Sequence, residues 1–74
     1  MDASVLEKVY KERLEERIIA FLAKEHSLSL EKAMDVYYKS RMAEMIHKGE
    51  EGIQYLDCKL LAQILYETEP ELFV

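Results

Sequence analysis

Residues 37–42 read Tyr-Tyr-Lys-Ser-Arg-Met, which sets two phenols, an ammonium, a hydroxyl and a guanidinium side by side. A Tyr–Lys acid/base pair needs both groups to converge on one proton. On a helix, consecutive residues are rotated by about 100°, so Tyr38 and Lys39 diverge and no such pair forms. The same rotation, carried on through Ser40, sets Arg41 among Met34, Tyr37, Tyr38 and Met45 in the middle of an apolar face. Tyr37 and Tyr38 are then expected to be largely buried, with Arg41 as a structural polar centre beside them. Three fates remain open for its guanidinium. It can snorkel to water, pair with a carboxylate from Glu44, Glu67 or Glu69, or bind an anionic ligand. Pairing with a carboxylate is the expectation.

Other reactive groups are scattered. A Ser/His/acid site would combine Ser4, Ser27, Ser29 or Ser40 with His26 or His47, yet no nucleophile elbow or glycine-rich oxyanion turn is present. Cys58 stands in the first turn of a predicted helix, where the dipole can lower a thiol pKa. It also lies near that helix's apolar face, where a buried, inert thiol is the simpler reading. The turn "GEEG" offers too few oxygens at alternating positions for calcium, and one Cys with two His is thin for a metal cluster. No catalytic, cofactor-binding or metal-binding residue is expected, and the chain reads as a non-enzyme.

Composition sets the outer limits. The 74 residues make one small domain whose single core is marginal, and one cysteine excludes an internal disulfide. The longest apolar run, "IIAFLA", is far shorter than the ~20 residues of a membrane span. The opening "MDASVLEK" lacks a signal-peptide core. A cytoplasmic protein without membrane contact follows. The net charge of −5 is uneven: residues 49–74 hold six acids and one base. Such a surface repels nucleic acid.

Hydrophobic periodicity predicts an all-α fold, a compact three-helix domain with a long N-terminal helix. The helices are expected at about 5–25, 30–47 and 58–68, with a tail over 69–74. Ser4 and Glu7 fit a capping box, Ser29 and Asp57 are N-caps, and Gly49 suits a left-handed C-terminal cap. "GEEGIQYL" reads as a loop, and Leu56 with Leu61 as a hydrophobic staple. The inward faces are Leu6, Tyr10, Leu14, Ile18, Phe21 and Leu22 on helix one; Leu30, Met34, Tyr37, Tyr38, Met42 and Met45 on helix two; and Leu61, Ile64 and Leu65 on helix three.

Helix one carries a second stripe: Val5, Val9, Ile19, Ala20 and Ala23, interrupted by Glu12 and Glu16. The short third helix cannot cover it. A two-fold symmetric homodimer, its first helices antiparallel and Lys8 or Lys11 of one chain meeting Glu12 and Glu16 of the other, would do so. The best functional class is therefore a protein–protein interaction module. The alternative is a helix-turn-helix regulator of DNA, built on the "HSLS" connector. Against it, Glu31 and Asp35 occupy the end of helix two that would read bases.

The stretch "LSLEKAMDVYYKSRMAEMI" followed by "GEEGIQYLDCKLLAQILYE" resembles a family of small all-helical bacterial proteins of unknown function. Ala33, Tyr37, Tyr38, Ser40, Gly52 and Tyr55 carry the pattern. The resemblance implies an accessory protein, antitoxin-like or toxin-associated, and it attributes no catalytic residues.

Overall fold

A computed structural model describes the backbone of residues 3–74 and the side chains of residues 5–49, 52, 53 and 55–74. The described residues form four α-helices: α1 Ala3–Glu25, α2 Leu30–Lys39, α3 Arg41–Lys48 and α4 Cys58–Thr68. Two 3₁₀ segments, Glu50–Tyr55 and Pro70–Phe73, follow α3 and α4. The all-α class and the long N-terminal helix are as the periodicity predicts. The three-helix plan is corrected: the helix expected over 30–47 is two helices that meet at Ser40.

Ser40 breaks the helix by serving both halves. Its backbone is extended (φ −81°, ψ 156°). Its N–H and its hydroxyl both donate to the Tyr37 carbonyl, at 3.0 and 2.6 Å. Its Oγ also accepts from the Ala43 N–H at 3.3 Å. One buried side chain thus closes α2 and N-caps α3, satisfying backbone groups that each helix end would otherwise leave unpaired.

The remaining ends follow local chemistry. Ser29 N-caps α2 by accepting from the Lys32 N–H. Gly49 ends α3 in the left-handed conformation (φ 70°), donating to Met45 and Ile46. At the end of α1, Ser27 takes a left-handed backbone (φ 52°), and Leu28 donates to the Ala23 carbonyl at 2.9 Å. That bond closes α1 with a Schellman-type turn. Asp57 holds the N-cap position of α4 without a side-chain hydrogen bond. Leu61, the inner residue of the expected staple, is fully buried, and Leu56 is 43% exposed. The expected Ser4–Glu7 box lies outside the described side chains, and α1 already includes Ala3 and Ser4.

The core forms where α1 lies between α2 and α4. It comprises Leu14, Ile18, Ile19 and Leu22 from α1, Ala33, Val36 and Tyr37 from α2, Met42 and Ile46 from α3, and Leu61, Ala62 and Leu65 from α4. Burying each large aliphatic member stabilises the fold by about 1.5–3 kcal/mol. All of the α1 members lie in the C-terminal two-thirds of that helix. Leu6 and Tyr10, expected inside, are 55% and 44% exposed, and the Tyr10 ring meets Tyr55 with centroids 5.6 Å apart. The molecule measures 41 × 21 × 18 Å, and its long axis accommodates the N-terminal overhang of α1.

The tail expected over 69–74 is packed. Leu72 and Phe73 lie against the core. His26 stacks on Tyr66 (centroids 4.5 Å apart) and meets Phe73 at 4.7 Å. The tail is thereby held to the far end of α1. No helix among the described residues is long and apolar enough to cross a membrane.

Candidate functional site

The break at Ser40 redistributes the "YYKSRM" side chains. Tyr37 is fully buried, and its hydroxyl donates to Glu15 Oε2 at 2.8 Å. Burial, then the hydrogen bond to Glu15 and the charges around it, raises the Tyr37 phenol pKa far above its ordinary value. The ring therefore stays neutral and acts as a fixed tie between α2 and α1. Tyr38, expected to be buried, is 59% exposed and meets Tyr37 edge-on at 5.2 Å. Lys39 pairs with Asp35 at 3.1 Å.

Arg41 is corrected in the same way. Its side chain is exposed, and no ion pair to its guanidinium is present among the described residues. Its backbone N–H donates to Glu69 Oε1 at 2.8 Å. Glu69 was one of the expected partners, but its carboxylate caps the start of α3 and does not neutralise the guanidinium. A polar centre of Tyr37, Tyr38 and Arg41 is thus not assembled. Only Tyr37 of the three is inside.

The second stripe of α1 is also divided. Val5 and Val9 are 50% and 40% exposed, and Ala20 is exposed. Ile19 is buried at 5%, and Ala23 packs against the core. Lys11, a suggested intermolecular cation, is engaged within the chain. It donates to the His47 carbonyl at 3.1 Å, capping the end of α3, and pairs with Glu7 at 3.5 Å.

A groove replaces the expected stripe. Glu12, Glu15, Glu16 and Ile19 of α1 and Leu30, Met34 and Tyr38 of α2 line a cleft of about 430 Å³. Ile19 closes its floor. Leu30 and Met34 are 60% and 42% exposed and, with Tyr38, form an apolar wall. The three carboxylates form the opposite rim. Glu15 is tied to Tyr37, whereas Glu12 and Glu16 have no ion pair among the described residues.

This groove could have been found from a smaller signal. Leu30, Met34 and Tyr38 look like the inward ridge when the apolar period is continued from Tyr37 to Met45. The ridge that faces α1 is Ala33, Val36, Tyr37 and Ser40, spaced i, i+3, i+4, i+7. With that ridge buried, Leu30, Met34 and Tyr38 are left exposed on α2.

The other reactive groups do not converge among the described residues. Ser29 and Ser40 serve as caps, His26 stacks on Tyr66 and is tilted against Phe73, and His47 lies at the end of α3. Cys58 is half-buried against the core. Comparison with protein-family models, curated proteins and solved structures gave no significant match for this chain.

Proposed function

We propose that this chain is a non-enzymatic protein–protein interaction module, and that the α1–α2 face is its working surface. The observation that carries this reading is the number of large apolar side chains that α1 and α2 leave exposed beside a charged groove. Val5 and Val9 on α1, and Leu30, Met34 and Tyr38 on α2, are each at least 40% exposed. Exposed apolar side chains grouped beside charge, as Leu30, Met34 and Tyr38 are beside Glu12, Glu15 and Glu16, are typical of association surfaces. The engagement of Ser29 and Ser40 in caps and of His26 in ring contacts supports a role without chemistry. The acids at the start of α2 make a DNA-reading role the weaker alternative. An antitoxin-like role of the kind the resemblance implies would use the same face.

In-cell cross-linking of the tagged full chain tests the reading. Cross-links from Lys8 and Lys32 to another polypeptide, whether a second copy or a different protein, are expected with the wild type. They should be lost from a Leu30→Glu/Met34→Glu variant of unchanged helicity. A double variant that keeps every association of the wild type would overturn the proposal.

A further inference from the structure

The chain exposes two surfaces that match each other. One is the overhanging N-terminal part of α1, where Val5 and Val9 stand one turn apart with Lys8 beside them, all exposed. The other is the groove, with the apolar wall of Leu30, Met34 and Tyr38 and, on its rim, Glu12 and Glu16, which have no ion pair among the described residues. We infer that the groove is occupied by the N-terminal part of α1 from a second copy of this chain. The inference rests on the interaction reading above and names the occupant.

Three observations favour this occupant. The first is geometry. On the wheel of α1, Val5, Lys8, Val9, Glu12, Glu16 and Ile19 share one side. The helix is supported by α2 on that side only over its C-terminal part. If two copies pair antiparallel, with the two-fold axis passing between Lys11 and Glu12, residues 5–9 of one protomer lie over residues about 14–18 of its partner. The groove opens there. Each overhang then gains the α2 support that its own chain does not provide, and the symmetry makes the contact twice.

The second is charge. Residues 5–11 carry Lys8 and Lys11 against Glu7 alone, whereas the groove presents three carboxylates. Lys11 and Glu7 pair with each other, so Lys8 is the cation left facing outward. In the antiparallel arrangement, Lys8 of one protomer approaches Glu12 and Glu16 of its partner. The parallel arrangement would set like charges side by side.

The third is the fit of apolar side chains. Val5 and Val9 form an i, i+4 ridge, and Leu30, Met34 and Tyr38 are spaced i, i+4, i+8. Ridges of this spacing on two helices interdigitate. A cationic amphipathic helix of another protein is the rival occupant, and the experiment separates the two.

Sedimentation equilibrium of the full chain at about 10–500 µM, a span that covers typical micromolar self-association, decides the matter. The apparent mass should rise with concentration from 8.7 kDa towards twice that value. Val9→Glu and Met34→Glu replace exposed residues, so circular dichroism should be unchanged while dimer affinity drops at least tenfold. Lys8→Glu and the pair Glu12→Lys/Glu16→Lys should each weaken self-association. Mixing those two charge-reversed proteins should restore a dimer, because both contacts are then of opposite charge. A dimer as tight in Val9→Glu and Met34→Glu as in the wild type would overturn the inference. So would a mixture that associates no better than its components. A wild type that stays at 8.7 kDa throughout, while a different protein cross-links to the same face, would refute self-occupancy and leave the interaction reading standing.

Discussion

The Tyr37 hydroxyl and the Glu15 carboxylate, 22 residues apart, are joined by a 2.8 Å hydrogen bond that fixes α2 against α1. The bond sits directly behind the groove, because Glu15 also lines its rim. The phenol is enclosed by the core while the carboxylate is only half-buried, so the two partners differ in what their loss should cost.

Tyr37→Phe leaves a carboxylate that water can reach, and it should lower stability by about 1 kcal/mol. Glu15→Ala leaves the enclosed O–H without its partner and should cost about 1–3 kcal/mol. Tyr37→Ala empties a core site and should cost about 3–5 kcal/mol. Urea unfolding of the three variants should give that order. Equal effects for Tyr37→Phe and Tyr37→Ala would mean that the ring does not pack as described.

Alkaline pH should expose the same residue. The Tyr37 pKa is raised in the folded state, chiefly by burial and then by Glu15. Below the ordinary tyrosine pKa of about 10, folded and unfolded chains both hold the proton, and the contribution of Tyr37 is complete. Above it, the unfolded chain releases the proton and the folded chain retains it, so stability falls as pH rises. Urea midpoints of wild type and Tyr37→Phe, measured at about pH 8 and pH 11 on either side of that value, should converge or cross at the higher pH. A constant difference would contradict the assignment.

Ser40 closes one helix and opens the next while itself buried. Ser40→Ala should cost about 1–2 kcal/mol, at the upper end for a lost N-cap because the Ala43 N–H is only partly accessible. For a domain of this size, that corresponds to a drop in Tm of several degrees, at about 4–8 °C per kcal/mol. A thermal melt that matches the wild type would show that the cap is dispensable.

Arg41 and Glu69 should behave asymmetrically. Arg41→Met keeps the backbone N–H that Glu69 accepts from, and removes an exposed guanidinium, so stability should change by no more than about 0.5 kcal/mol. Glu69→Ala removes the acceptor and frees the end of α4 from the start of α3; about 1 kcal/mol should be lost. If Arg41→Met proves the more damaging of the two in urea, the guanidinium has a role that its exposed position does not explain.

The amino-acid order alone determined the helical class, the length of α1 and most of the helix ends. Ser29, Gly49 and Pro70 act on their immediate neighbours through caps, a left-handed backbone and a missing N–H, so their effects are readable from local sequence. The periodicity of Leu14, Ile18 and Leu22 on α1, and of Leu61 and Leu65 on α4, likewise marked residues that are buried. What only the tertiary structure decided begins at Ser40. Serine is compatible with a helix interior, and nothing local requires a break there. The break is supported by distant contacts: Tyr37 reaching Glu15 on α1, Glu69 accepting from the Arg41 N–H, and Lys11 capping the far end of α3. A phase of about 100° per residue, continued through Ser40, therefore put Arg41 inside when it is outside. On α2 the misplacement had another cause. The apolar periodicity put Leu30, Met34 and Tyr38 in the core with Tyr37, but the ridge that is buried is Ala33, Val36 and Tyr37. Leu30, Met34 and Tyr38 are turned to the surface, where they form the wall of the groove.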